Sequence, residues 1–400
     1  MSRTILHCDC NSFYASVECL INPKLGLAPM AVAGNPESRH GIILAKNELA
    51  RKRGVKTAET IGQAKMKCPE LALAPPHHEK YEEFSKAANE IYSQYTDLVE
   101  PFGIDESWLD VTGVLHLFGD GEKIADDLRK RIRSELGITI SVGVSFNKVF
   151  AKLGSDCKKP DATTSITEKN FREIVYPLSV EALLFVGKAS KAILGSMGIF
   201  TIGDLARSDK AIISKSLGKV GEACHDYANG IDHSPVTPAH LGKGMKSIGN
   251  SLTFRRNLVG FDDILSAVSY LADETSSRMR KSGVKCKTVS IAVRSPDFIN
   301  ISRQKTLETP TNMMKEIRDV GMGIMKESWN LKNPIRMLAV TGANLIGELD
   351  GAAQISLFED QVNREKRVKI EAAMDAMRGK YGKKAFSLGI SAVKDLGLDE

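Results

Sequence analysis

The chain has 400 residues, of which 42% are hydrophobic and 26% are charged. This length predicts two or three domains, and the composition is typical of a globular protein. No segment approaches the roughly 20 consecutive apolar residues of a membrane-spanning helix, so we expect neither a membrane protein nor a membrane partner. Residues 4–8 have the pattern of a strand, without the charged start and long apolar core of a secretion signal.

The seven cysteines are odd in number and scattered along the chain. No Cys-x-x-Cys pair occurs, so the sequence supports neither a disulfide framework nor a structural zinc site. This cysteine usage is typical of a reducing compartment, and we expect a cytoplasmic protein.

The net charge of +6 is unevenly distributed along the chain. Residues 241–345 hold 17 Lys and Arg against 9 Asp and Glu, a net of +8, and the rest of the chain is therefore at −2. A basic segment of this kind is either a surface that faces a polyanion or a solvated lysine-rich face. Charge alone does not choose between them.

The first part of the chain has the pattern of an α+β domain. The predicted elements, in chain order, are a strand at Thr4–Asp9, a helix at Phe13–Leu20, strands at Met30–Ala33 and Gly41–Ala45, an amphipathic helix with apolar residues from Tyr81 to Leu98, a strand–turn–strand around Gly103–Glu106, a helix with Ile124, Leu128 and Ile132 on one face, and an alternating strand from Ile138 to Val144. They predict an antiparallel-rich sheet covered by helices on one face.

The second part of the chain changes character twice. Residues 167–232 read as short helices between glycines, and a polar linker is predicted at 233–246. Residues 247–345 alternate strand-like and helix-like segments, which predicts a second α+β domain. The tail at 346–400 is polar, with one helix near Val368–Met377. The predicted fold class is therefore multidomain α+β.

Three acidic residues stand where strands end. Asp9 closes the first strand, and Asp105 and Glu106 occupy the turn of the later hairpin. Such residues are either solvated turn or capping residues, or ligands of a two-metal site, because carboxylate oxygens suit Mg²⁺ and Mn²⁺ and two ions can clamp a phosphoryl transfer. Candidate partners for phosphate charge are Arg51, Lys148, Lys152 and Lys159. The phosphate-binding loop of P-loop ATPases does not occur.

Three motifs carry a resemblance to a known family. They are Asp9–Glu18, Ile104–Asp110 and Ser141–Leu153, followed by Asp156 and Lys159-Pro160. In order and spacing they resemble the motifs of the Y-family translesion DNA polymerases, close to the DNA polymerase IV branch, over about residues 1–345.

The resemblance implies a right-hand polymerase with four domains and a tail. The expected parts are a palm at 1–10 and 75–166, fingers at 11–74, a helical thumb at 167–232, the linker, a DNA-binding little finger at 247–345 and the tail at 346–400. It also implies a monomer that extends primer–template DNA with deoxynucleoside triphosphates, at low fidelity and without proofreading.

The same resemblance implies roles for individual residues. Asp9, Asp105, Glu106 and the carbonyl of Cys10 would bind two Mg²⁺ ions, with Mn²⁺ as a substitute. Tyr14 would be the steric gate that collides with a 2′-hydroxyl. The nucleotide-binding set is expected to be Asn11, Ser12, Phe13, Tyr14, Arg51 and Lys159.

Three positions depart from the family pattern. Glu48 stands where an aromatic hydroxyl is common, and an ionised carboxylate cannot donate to phosphate; the sequence leaves Lys46 and Asn47 as replacements. Ile42 and Leu44 are bulkier than the residues often found beside the templating base. The thumb turn reads Phe185-Val186-Gly187-Lys188 in place of a glycine-rich hairpin.

A short apolar motif lies in the tail. Gln354, Ser356, Leu357 and Phe358 resemble the peptide by which bacterial polymerases dock on a sliding clamp, with Leu357 and Phe358 as apolar anchors. The alternative is a hydrophobic staple that folds the tail back onto the body.

Three functions compete on these features. A DNA polymerase requires the carboxylates, the cations and the basic domain together. A nucleotide cyclase built on a similar palm requires no basic second domain, and a noncatalytic DNA-binding protein requires no convergence of Asp9, Asp105 and Glu106.

Overall fold

The computed structural model describes residues 2–35, 41–238, 241, 244–347, 361–382 and 396. The chain forms two compact units, Met1–Gly242 and Lys243–Glu400. The described helices include none that is long and apolar enough to cross a membrane.

The first unit contains eight strands and eleven α-helices among the described residues. The strands are β1 (Ile5–Cys10), β2 (Met30–Ala33), β3 (Ile43–Lys46), β4 (Ala72–Ala74), β5 (Val99–Pro101), β6 (Glu106–Asp110), β7 (Ile140–Ser145) and β8 (Thr163–Ile166). The helices are α1 (Phe13–Ile21), α2 (Glu48–Lys52), α3 (Ile61–Lys67), α4 (His78–Ser93), α5 (Leu115–Phe118), α6 (Gly121–Arg131), α7 (Lys148–Cys157), α8 (Phe171–Val175), α9 (Lys188–Ser196), α10 (Ile202–Arg207) and α11 (Lys210–Ala228), the last kinked at Gly218.

A five-stranded sheet forms the centre of the first unit, in the order β5-β6-β1-β7-β8. β1 pairs antiparallel with both β6 and β7, and β8 runs parallel to β7. Alternate residues of a strand face opposite sides of the sheet. Leu6, Cys8 and Cys10 join the core formed with α4 and α6, whereas His7 contacts Ser155 of α7 on the other side. The prediction of helices on one face was wrong, because α7 covers the second face.

A close approach between α7 and β7 depends on one glycine. A Cβ placed on Gly143 would lie 1.8 Å from the carbonyl oxygen of Ala151 and 2.5 Å from the amide nitrogen of Ser155. Both are backbone atoms, which no change of side-chain rotamer can move. Gly143 therefore sets the distance at which α7 lies on the sheet.

A small sheet of order β3-β2-β4 lies within the segment predicted as fingers. Its apolar core includes Ala31, Ile43, Ala50, Val55 and Leu71. Helices α8 to α11 occupy the segment predicted as thumb.

The beginning of the predicted linker is held against the first unit by hydrogen bonds. Arg3 donates to the carbonyls of Asp232 and Ser234 at 2.6 and 2.7 Å. The Thr237 amide donates to Glu100 at 2.6 Å, and Val236 is buried. These contacts fix residues 232–237 to the first unit.

The second unit is built on a four-stranded antiparallel sheet of order β11-β10-β12-β9. Its elements are β9 (Ser247–Leu258), α12 (Phe261–Lys281), β10 (Val284–Arg294), β11 (Asn300–Thr311), α13 (Met314–Ser328), β12 (Ile335–Gly347) and α14 (Gln361–Tyr381). Apolar residues of α12 and α13, among them Leu271 and Ile317, share a buried core with the strands.

Helix α14 is longer than the sequence predicts and is tied to α12 and α13 by charge. Arg280 pairs with Glu371 and with Asp375, and Arg378 pairs with Asp273 at 2.7 Å. The Glu371 carboxylate also accepts from the amide of Met314, the first residue of α13. Helix α14 thus supplies a cap that α13 lacks in its own sequence.

Replacing Gly143 by Ala should destabilise the first unit by about 3 kcal/mol or more, because the new methyl group meets backbone atoms and α7 must shift. Urea unfolding of the full chain would measure this loss. Gly62→Ala is the matched control: Gly62 is exposed in α3 with open space around it, and Ala should stabilise there by roughly 0.5–1 kcal/mol. Equal stability of the Gly143→Ala variant and the wild type would contradict the proposed spacing.

Candidate active site

The carboxylates converge where β1 and β6 meet. Asp9 is the register partner of Glu106, so the two side chains are neighbours on the face covered by α7. Asp105 immediately precedes β6, and its carbonyl accepts a hydrogen bond from the amide of Cys10 at 3.0 Å. Residues about 100 positions apart in sequence therefore form a single acidic centre.

Two lysines neutralise part of this centre. Lys159 Nζ lies 2.6 Å from Asp9 Oδ2 and 2.8 Å from Asp156 Oδ1. Lys152 Nζ, from α7, lies 2.7 Å from Glu106 Oε2. The side chain of Asp9 is only 7% exposed, so water screens its charge little and the lysine contact is correspondingly important.

The three carboxyl groups differ in proton affinity. Burial raises the pKa of Asp9, and Lys159 opposes that shift. Burial and the neighbouring Glu106 charge raise the pKa of Asp105. Burial would also raise the pKa of Glu106, but His7 and Lys152 outweigh it and lower this pKa to about 2. Burial is the cause that acts on all three groups, and the negative charge gathered here gives the site an affinity for cations.

The donor set suits a hard divalent cation. Asp9, Asp105 and Glu106 present carboxylate oxygens, the ligands that Mg²⁺ and Mn²⁺ prefer. In the described part of the chain, no three Asp, Glu, His or Cys side chains already stand arranged as a metal cluster. Asp9 and Glu106 each direct one oxygen to a lysine, so ion binding would exchange these ammonium contacts for metal contacts.

A cavity of about 440 Å³ opens beside the carboxylates. The candidate phosphate partners Lys148 and Lys152 do not line it. Its lining brings together the expected metal ligands and the expected nucleotide-binding set: Asp9, Cys10, Asn11, Ser12, Phe13, Tyr14, Arg51, Asp105, Glu106 and Lys159. Leu44, Lys46, Glu48 and Thr57 complete the side formed by the small sheet and α2. The cavity therefore joins acidic and basic groups in one space.

Helix α1 begins directly at this cavity. Ser12 precedes it with φ 47°, and the helix has no side-chain cap. The Phe13 ring is buried in the core, so Phe13 can offer a ligand only its backbone amide. An uncapped helix start with free amides is suited to negative charge.

The Tyr14 ring is held by a stacked neighbour. Tyr81 of α4 lies parallel to it, with ring centroids 4.1 Å apart, and His78 meets its edge. The Tyr81 hydroxyl donates to the buried Glu18 at 2.5 Å, and His77 Nδ1 lies 2.9 Å from the same carboxylate. Tyr14 is therefore backed on one side and lines the cavity with the remainder of its surface.

The cations of the cavity also have internal partners. Arg51 contacts the Glu48 carboxylate through NH2 at 2.7 Å and Nε at 3.1 Å. Asn47 caps α2 and bonds Ala28 and Met30, so its side chain is committed to structure. Of the two replacements considered for Glu48, only Lys46 lies on the cavity.

Two predicted residues have structural partners instead. Lys148 donates to Glu100 at 2.6 Å and lies over the Trp108 ring. Glu100 also holds the beginning of the linker, through the amide of Thr237. The Asn11 side chain makes hydrogen bonds to Ser141, Thr139 and the amide of Asp161. The tail residues Gln354, Ser356, Leu357 and Phe358 lie outside the described residues.

Sequence reasoning missed two residues of the site. His7 is buried against Ser155, 2.9 Å away, and its Nε2 lies 3.5 Å from Glu106. Its signal was its position two residues before Asp9, which places both on one face of a strand. Tyr81 was assigned only to a helix core, and nothing in the spacing alone connects it with Tyr14.

Known proteins of one family match this chain over most of its length. A profile of the impB/mucB/samB family matches residues 8–156, and its C-terminal domain profile matches residues 245–357. The proteins named DNA polymerase IV from Acetivibrio thermocellus and Clostridium kluyveri are 47% and 39% identical to this chain, over 100% and 96% of both chains in each pair. The chain belongs to the Y family of DNA polymerases.

Other relatives of this Y-family chain extend the match. DNA polymerase IV 1 of Bacillus subtilis is 36% identical, over 98% of this chain and 94% of its own. A solved Y-family DNA polymerase chimera superposes with a TM-score of 0.77 at 24% identity, covering 86% of this chain and 99% of the other. The fold of the family is thus shared across most of the chain.

Proposed function

We propose that this chain is a DNA-directed DNA polymerase that carries out translesion synthesis. The observation that carries the proposal is the cavity that joins Asp9, Asp105 and Glu106 with Arg51, Lys159 and Tyr14 in a Y-family chain. The family match also spans the basic segment. A nucleotide cyclase has no use for that segment, and a noncatalytic DNA-binding protein has no use for the acidic centre.

Two divalent cations, Mg²⁺ or Mn²⁺, are proposed to be held by Asp9, Asp105, Glu106 and the Cys10 carbonyl. When bound, such ions lower the pKa of an attacking hydroxyl and neutralise a leaving pyrophosphate. The protein's own part is to hold the carboxylates at adjacent strand ends, where the register of β1 and β6 fixes their spacing.

The triphosphate is proposed to lie between Lys159, Arg51 and the amide of Phe13. Phosphoryl transfer depends mainly on positioning and charge neutralisation. Lys159 already contacts Asp9, so an ammonium group stands at the border between the acidic centre and the cavity. Tyr14, backed by Tyr81, is proposed to close the sugar side and exclude a 2′-hydroxyl.

The second unit is proposed to hold the primer–template duplex by its phosphates. Its exposed strand residues include the cations Lys287, Arg303 and Lys305, in line with the net charge of +8 over residues 241–345. Phosphate contacts of this kind supply affinity without reading sequence, which suits a polymerase that copies any template.

Replacing one metal carboxylate, in Asp105→Ala or Glu106→Ala, should abolish primer extension and leave DNA binding nearly unchanged. The loss should exceed about 10³-fold, because charge stabilisation of the transferring phosphoryl group is lost. Primer extension with Mg²⁺ and a fluorescence-anisotropy titration of labelled DNA measure the two properties. Asp97→Ala, which removes an exposed acid elsewhere in the same unit, is the control and should retain synthesis. An active Asp105→Ala variant would refute the site.

Removing the ring in Tyr14→Ala should let ribonucleotides enter, because the collision with the 2′-hydroxyl disappears. Discrimination, measured as the ratio of kcat/KM for a deoxynucleotide to that for the matching ribonucleotide, should fall by at least about tenfold. Tyr14→Phe, which keeps the ring, is the control and should retain most of the discrimination. Unchanged selectivity in Tyr14→Ala would show that the gate lies elsewhere.

The tail motif is proposed to dock on a sliding clamp. It lies between the end of β12 at Gly347 and the start of α14 at Gln361. The double change Leu357→Ala and Phe358→Ala should spare distributive synthesis and abolish stimulation by a clamp, because the two apolar anchors are lost. Leu117→Ala, which removes an exposed leucine of the first unit, is the control. Equal loss with and without clamp would favour the hydrophobic staple instead.

A further inference from the structure

Lys159 reaches the active site from a short connection. Helix α7 ends at Cys157 and β8 begins at Thr163, so Lys159 stands on the five residues between them. Its ammonium group lies 2.6 Å from Asp9 and its side chain is 30% exposed. A lysine side chain is long and flexible, so the position of its charge depends on how firmly the backbone beneath it is held.

Asp161, two residues further on, uses all of its polar groups within the protein. Its amide donates to Asn11 Oδ1 at 2.8 Å, and its carbonyl accepts from Arg129 NH2. Its carboxylate accepts from Arg129 Nε at 3.1 Å and from Arg133 NH2. The side chain is 17% exposed, so these contacts are partly shielded from water.

The backbone at Asp161 has an uncommon conformation. Its φ is 51°, in the left-handed region that residues with a Cβ seldom adopt. Such a conformation persists only where its surroundings over-determine it, and it is a reason to look for a function nearby. Here the surroundings are Asn11, Arg129 and Arg133.

The anchors of Asp161 belong to the same framework as Asp9. Asn11 follows β1 two residues after Asp9, is buried, and donates to Ser141 of β7 at 2.9 Å. Arg129 lies on α6 and also contacts Asp126 at 2.8 Å. The connection that carries Lys159 is therefore fixed to the strand that carries its acidic partner.

We infer that Asp161 is a positioning residue, which acts through Asn11 and Arg129 to set the Lys159 ammonium group against the triphosphate. The inference rests on the proposed function, in which Lys159 holds the nucleotide. Asp161 itself does not line the cavity. Its contribution is to hold the Lys159 ammonium group in one position before the nucleotide binds. Nucleotide binding then does not have to restrict the motion of this side chain.

A double-mutant cycle tests this inference. Asp161→Ala should raise KM for a deoxynucleoside triphosphate by about tenfold to a hundredfold, with kcat little changed, because a displaced lysine weakens nucleotide binding. Lys159→Ala should have a similar effect. In the Lys159→Ala background, Asp161→Ala should add less than about twofold, since two residues that act through one group are not additive.

Two further variants separate positioning from general damage. Asp161→Asn tolerates the left-handed backbone and keeps one acceptor oxygen for Arg129, so it should recover part of the KM loss, and it serves as the test if Asp161→Ala does not fold. Arg131→Ala removes another arginine of α6. Arg131 pairs with Glu135 at 2.6 Å, and its side chain is about as exposed as that of Arg129. It should leave KM within about twofold of the wild type.

The outcomes are distinguishable. Additive effects of Asp161→Ala and Lys159→Ala, an unchanged KM, or a loss in kcat alone would overturn the inference and leave the polymerase proposal standing. A wild-type chain that extends no primer would overturn the proposed function, and the inference with it. Coupled losses in KM with an unaffected Arg131→Ala variant would establish the positioning role.

Discussion

The pairing of β1 with β6 places two carboxylates, Asp9 and Glu106, directly opposite each other. Like charges in this position oppose folding, and Asp105 adds a third. The surroundings offset the repulsion in part, since Lys159 contacts Asp9 and Lys152 contacts Glu106. Two ammonium charges against three carboxylates leave an excess of negative charge. That excess suits the site to a divalent cation, which carries twice the charge of a lysine.

The remaining geometry follows from which face of the sheet carries these acids. Asp9 and His7 lie on the face covered by α7. That helix brings Ser155 to His7 and Lys152 to Glu106, and its Asp156 contacts Lys159. The helix can approach so closely only because Gly143 leaves its backbone room. Core packing and the electrostatics of the site therefore both depend on the position of α7. A shift of this helix would move the cations together with the core.

Much of this arrangement could be predicted from the sequence. The strand that ends in Asp9, the acidic turn at Asp105 and the place of Tyr14 beside the carboxylates follow from local pattern and family resemblance. The second covered face could not be predicted, because His7 and Asp9 alternate with Leu6, Cys8 and Cys10 as in a strand with one solvated face. The partners of individual side chains could not be predicted from the sequence. Lys148 pairs with Glu100 and Asn11 with Asp161, across 48 and 150 residues, and no local spacing reports such contacts.

Two cations of the cavity are each held by a carboxylate, whereas Lys46 donates to the Thr57 hydroxyl. In the proposed function, the triphosphate would take the place of these carboxylates. Glu48 holds Arg51, and Asp9 holds Lys159. Exposed ion pairs contribute only about 0–1 kcal/mol, so exchanging Glu48 for a more highly charged triphosphate costs Arg51 little. Lys159 is different, because Asp9 is buried and cannot be left without a counter-charge. In the proposed function, a divalent cation at Asp9 would take over the counter-charge that Lys159 supplies. The ammonium group would then be available to the triphosphate, so nucleotide binding and metal binding would be coupled.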